Sequence, residues 1–163
     1  MQCVFLLLEL GGTQLAQRHD YEGAGALHVA AARGDAHAAA VLVQAGCAVD
    51  QPDHEGLSPL LVAARCGHAG AVRALLAAGA RKEHVDFDGG SALMHAAGRG
   101  HSEAVAALLA ARCDPLAGDM LRLSPLALAL AGGHAEAALA LAGAAARLDL
   151  AGFADVVAPP AYP

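Results

Sequence analysis

Apolar residues in this chain recur on two scales at once. On the short scale they keep helical spacing: Val72, Leu75 and Leu76 share one face of the stretch Ala69 to Ala77, the i, i+3, i+4 pattern of an amphipathic helix. On the long scale, whole columns return every 33 residues. Leu27, Leu60, Leu93 and Leu126 form one column, Ala30, Ala63, Ala96 and Ala129 a second, and Leu42, Leu75, Leu108 and Leu141 a third. Polar and turn-forming residues keep the same step. Asp20, Asp53, Asp86 and Asp119 are so spaced, as are Gly34, Gly67, Gly100 and Gly133. His68, His101 and His134 follow them, with Asp35 in the first place. No insertion breaks this register, so the period is that of a repeated supersecondary unit.

Each unit reads as turn, helix, turn, helix. In the second unit Asp53-His-Glu-Gly56 supplies turn residues, and Gly56 is free to take a positive φ. Ser58 and Pro59 then open a helix as N-cap and first helical residue. Leu60 to Arg65 is too short to persist alone and must be held by its neighbours. Gly67 ends it, a second helix covers Ala69 to Ala77, and Gly79 closes that helix in a left-handed cap. The small side chains of Ala63 and Ala64 let adjacent helices approach closely.

The run Gly56-Leu-Ser-Pro-Leu-Leu-Val-Ala-Ala-Arg-Cys-Gly-His68 resembles the ankyrin signature, Gly-x-Thr-Pro-Leu-His-x-Ala-Ala-x-x-Gly-His. Gly89 to His101 and Gly23 to Asp35 are similar to it but less close, and Arg122 to His134 lacks the leading glycine. The resemblance covers about four-fifths of the chain and implies an all-α ankyrin-repeat solenoid of helix-turn-helix pairs with protruding turns. Four repeats are expected at residues 20–52, 53–85, 86–118 and 119–151, the last degenerate. Leu6-Leu-Leu-Glu-Leu-Gly11 is similar to the end of an ankyrin second helix, which implies a partial repeat and loop over residues 1–19. Residues 152–163 read as a flexible, proline-rich tail.

Departures from the family pattern locate the expected weak points. The family pairs Thr or Ser at the helix start with a His three residues on, and no repeat here has both: His28 faces Gly25, Ser58 faces Leu61, Ser91 faces Met94 and Ser124 faces Ala127. Each missing side-chain bond costs about 0.5–1.5 kcal/mol. The glycine ending the second helix becomes Arg112 in the third repeat and Ala145 in the fourth, where a left-handed residue with a β-carbon costs about 1–2 kcal/mol. Arg122 replaces the turn glycine of the fourth repeat. The carboxyl end is therefore expected to be the soft end.

Composition and charge remove several classes of function. Ala, Gly and Leu dominate, Lys82 is the only lysine, and mean hydropathy is +0.44. The most apolar stretch, Leu123 to Ala146, is interrupted by His134, Glu136 and three glycines, so no membrane span is expected. The amino end lacks the basic start of a secretion signal. Cys3, Cys47, Cys66 and Cys113 are then expected as reduced thiols in a cytoplasmic or nuclear setting. A formal charge of −6 argues against nucleic acid as a partner. No phosphate loop, nucleophile elbow or His-Glu-x-x-His occurs, so no catalysis and no cofactor are expected. His68, His101 and His134 lie one per repeat, roughly a helix diameter of 10 Å apart, too far to share a zinc ion with bonds of about 2.0 Å. Backbone hydrogen bonds in the turns are their expected role, and no metal is expected.

Two sets of residues are left as binding candidates. The second position of each repeat, at the tip of the protruding turn, carries Tyr21, His54, Phe87 and Met120, framed by acids such as Asp53, Glu55, Asp86 and Asp88. Exposed aromatic residues in a charged frame are the usual chemistry of binding hot spots. Arg33, Arg65 and Arg99 sit near the ends of the first helices, a region the resemblance places on the concave side. The second set is Pro159, Pro160 and Tyr162, a Pro-Pro-x-Tyr sequence similar to WW-domain ligands. The expected function is an intracellular, monomeric protein-binding adaptor that grips one partner with its groove and turn tips. A WW-domain protein is a further expected partner through the tail. The alternatives are the non-catalytic ankyrin portion of a larger enzyme or ubiquitin-ligase adaptor, and a truncated gene product with no partner.

Overall fold

The computed structural model describes residues 23–147, and these fold as eight helices in four consecutive pairs. The pairs are α1 (Ala26–Arg33) with α2 (Ala36–Gln44), and α3 (Pro59–Arg65) with α4 (Ala69–Ala77). They continue with α5 (Ala92–Gly98) and α6 (Ser102–Ala110), then α7 (Pro125–Ala131) and α8 (Ala135–Arg147). An isolated bridge pairs Val85 with Ser91. The helices stack in two layers. First helices pack on first helices along α1, α3, α5 and α7, second helices along α2, α4, α6 and α8, and each pair is packed within itself.

The leucine and alanine columns explain this stacking. Leu60, Leu75, Leu93, Leu108 and Leu141 are fully buried, and so are Ala63, Ala64, Ala96 and Ala97 at the faces where first helices meet. Small residues there let seven- or eight-residue helices, too short to be stable singly, draw stability from both neighbours. Each first helix is also capped. The hydroxyls of Ser58, Ser91 and Ser124 accept from the amides of Leu61, Met94 and Ala127 at 3.2–3.4 Å. In the first pair the roles reverse: His28 Nδ1 accepts from the Gly25 amide at 3.1 Å, and its Nε2 donates to the Leu57 carbonyl of the next repeat at 3.0 Å. One partner of the family's bonding pair is thus kept in each repeat.

Stacking also gives the histidine column its bonds. Nε2 of His68, His101 and His134 donates to the carbonyls of Ala32, Arg65 and Gly98 at 3.0–3.2 Å, each on the preceding repeat. The glycine that ends each first helix lies under the next ring. A β-carbon on Gly34, Gly67 or Gly100 would come within 2.6, 2.5 or 2.4 Å of the Nδ1 of His68, His101 or His134. Positive φ and absent space therefore select glycine together at these positions.

The fourth repeat departs from expectation at Ala145. It does not end its helix in a left-handed cap: α8 runs on to Arg147 and Ala145 is buried within it. Among the described residues those with a β-carbon and a positive φ are Arg112 at 61° and Arg122 at 59°. A second departure is Leu130. Its column partners Ala31, Ala64 and Ala97 are fully buried, yet Leu130 is 58% exposed, because no described residue stacks beyond it.

Candidate functional site

The second, third and fourth protruding turns are each held by their leading aspartate. Asp53 Oδ1 accepts from the amides of Glu55 and Leu57, Asp86 Oδ1 from Asp88 and Gly90, and Asp119 Oδ1 from Leu121 and Leu123, all at 2.7–3.0 Å. A carboxylate that bonds its own backbone two and four residues on closes the turn without any other element. The side chain at the next position is thereby presented outward, on a fixed support.

The tips also stack on one another. A β-carbon on Gly23, Gly56 or Gly89 would meet His54, Phe87 or Met120 of the following repeat at 2.7–3.1 Å. The Phe87 amide donates to the Glu55 carbonyl at 3.4 Å. Phe87 therefore rests one ring edge on Gly56 while 70% of the residue stays open. Met120 and Leu121, at the following tip, are each 77% exposed. Arg122 occupies the corresponding glycine position of the fourth tip. Tyr21, and the tail residues Pro159, Pro160 and Tyr162, lie outside the described residues.

Three of the sequence candidates come together. A cleft of about 390 Å³ opens between the second and third tips, with Phe87, Arg65 and Arg99 on its wall and Leu57 among its lining residues. The remaining lining residues are Glu55, Asp86, Asp88 and His95. Arg65 is committed to Glu55 at 3.1 Å, an exposed ion pair. Arg99 and Asp88 are exposed, and their side chains have no partner among the described residues. His54, Met120 and Arg33 are exposed but lie outside this cleft.

His95 is a residue the sequence reading missed. Its Nε2 meets Asp86 Oδ2 at 2.7 Å, and both side chains are largely buried at the cleft. Asp86 thus has one oxygen on the turn amides and the other on the imidazole. The signal was present in outline: the His95 column is otherwise Val29, Val62 and Leu128, so a polar residue there needs a partner.

No group of three His, Cys, Asp or Glu residues among those described is close enough to hold a metal ion. No described helix is long and apolar enough to cross a membrane. Cys113 is a buried free thiol, Cys66 an exposed one, and Cys47 is buried. Burial pushes the Cys113 thiol up to about 11, with Glu83 adding to the effect and Lys82 opposing it. Burial also raises Cys47. These groups favour the unreactive thiol form, which suits packing and not nucleophilic work.

Comparison with known proteins adds two matches. A family model for ankyrin repeats, three copies long, matches residues 1–86, and one for a single ankyrin repeat matches residues 88–120. A search of curated proteins finds no match.

Proposed function

Because the chain belongs to the ankyrin-repeat family, whose members are generally protein-protein interaction modules, we propose that it is an adaptor. It grips one protein partner along the groove between the turn tips and the first helices. The observation that carries this reading is the tip column, where Phe87, Met120 and Leu121 are 70–77% exposed on turns that aspartates hold rigid. Large apolar side chains on a pre-formed support lose little freedom when they bind, which is the condition for a hot spot. His54 and the arginines Arg33, Arg65 and Arg99 line the same groove in this proposal, and Tyr21, outside the described residues, is assigned to the same partner contact. The module acts as a monomer in the cytoplasm or nucleus and performs no chemistry. Pro159, Pro160 and Tyr162 supply a separate contact to a WW-domain protein.

The test is capture of a partner with the full chain, followed by affinities of purified variants. Phe87→Ala and Met120→Ala are expected to weaken binding by about 2 kcal/mol each, whereas Arg73→Ala, exposed on the second helix α4, leaves it unchanged. Pro160→Ala removes only the WW contact. Equal affinity for wild type and both tip variants rules the groove out.

A further inference from the structure

The charges around the Phe87 cleft do more than mark a binding face, because most of them are already spent. Glu55 is taken by Arg65. Asp86 is taken by His95 and by two turn amides. Two unspent groups of opposite sign remain, the Arg99 guanidinium and the Asp88 carboxylate, beside the open face of Phe87. A cleft of about 390 Å³ admits side chains, but not a helix about 10–12 Å across. The lining holds three carboxylates against two guanidinium groups, so it repels a phosphate or a run of acids.

We infer that this cleft takes an extended polypeptide segment of a protein partner in which an apolar side chain is flanked by one acidic and one basic residue. This deepens the protein-binding reading and rests on it. The apolar side chain packs on the Phe87 ring, the acid pairs with Arg99, and the base pairs with Asp88. An extended segment turns alternate residues to one face, so the three recognised residues stand at every second position. Charge opposition of this kind fixes register and excludes wrong partners more than it adds affinity. It also sets the direction of the segment, since reversal places like charges together at both ends. Leu57 and the His95–Asp86 pair keep the cleft shaped while it is empty, which lowers the cost of ordering on binding.

A library of random heptapeptides displayed on phage and selected on the immobilised full chain tests this. Enriched sequences are expected to carry an acid and a base on either side of an apolar residue at alternate positions. For a synthetic peptide of the enriched sequence, Arg99→Glu is expected to weaken binding roughly tenfold or more. Replacing the peptide's acid with lysine is expected to restore binding to that variant. Asp88→Lys should show the mirror-image exchange. Circular dichroism melts of both variants establish that the fold is kept. Enriched peptides without the charge pair, or charge reversal at Arg99 and Asp88 without effect, overturn the inference. If selected peptides instead depend on Arg33 and His54, the cleft assignment falls while the wider groove reading stands. If no peptide is enriched and no partner is captured, both fall.

Discussion

The ammonium of Lys82 donates to the carbonyl of Arg112 at 2.8 Å and to that of Ala111 at 3.0 Å, so the second repeat caps the last helical turn of the third. Arg112 holds a φ of 61° at the place where the first and second repeats have Gly46 and Gly79, both at 88°. A cation at a helix C-terminus meets the negative end of the helix dipole and satisfies carbonyls that have no partner in the helix. The chain's only lysine thus stands at the helix end that lacks its glycine.

Arg112→Gly is expected to stabilise the fold by about 1 kcal/mol, through relief of left-handed strain. Lys82→Ala is expected to destabilise by about 1.5–3 kcal/mol, the range for hydrogen bonds from a charged donor. Urea unfolding of both single variants and the double variant measures their coupling. A stabilising Lys82→Ala contradicts the capping role.

Gly67 and Gly133 separate two reasons for glycine. Their φ values, 78° and 71°, are nearly equal, but a β-carbon on Gly67 meets His101 Nδ1 at 2.5 Å, while one on Gly133 meets nothing within 4 Å. Gly133→Ala should therefore cost only the backbone term of about 1–2 kcal/mol. Gly67→Ala should cost about 1–3 kcal/mol more, from overpacking. Equal losses in thermal unfolding would mean that the His101 ring yields freely.

Amide exchange should be fastest at the carboxyl end of the stack. Among the described residues helix α8 packs mainly on α6 and α7, whereas α6 has α4, α5 and α8 around it. The buried face of α8 is mostly alanine, with Leu141 its one large residue. In a stack whose stability is a sum of repeat and interface terms, such a helix opens first. Protection in residues 135–147 exceeding that of α4 would reverse this order.

Alkaline pH should weaken the fold through Cys113. Its thiol titrates near 11 when folded against an ordinary 9.0, so between these values the folded state holds a proton that the unfolded chain releases. Stability is complete below about pH 9 and declines as pH rises toward 11. Cys113→Ala should flatten that decline in denaturation midpoints taken from pH 8 to 11. At pH 7 a maleimide should label exposed Cys66 well before buried Cys47 and Cys113.

Much of the fold was legible because a 33-residue period multiplies weak local signals. Ser58 with Pro59 and the glycines Gly67 and Gly79 mark the ends of α3 and α4 within two residues. Ala145 was misread because the column arithmetic assumed that the fourth repeat ends as the others do. Nothing in alanine itself stops a helix, and α8 continues through it. Exposure of the tip residues followed from their place beside turn-closing aspartates, but Phe87 leaning on Gly56 did not, since that contact joins residues 31 apart.

The sequence by itself determined the unit: its helices, caps and turns depend on residues within a few positions of one another, and periodicity states how often they recur. Only the tertiary structure decided which charges remain free. The fold of each turn against its own first helix brings Arg65 to Glu55 and His95 to Asp86, and stacking brings Lys82 to the end of α6, leaving Arg99 and Asp88 unspent at one cleft. Those pairings depend on side-chain reach between a turn and its helix or across packed repeats, a distance that no spacing along the chain encodes.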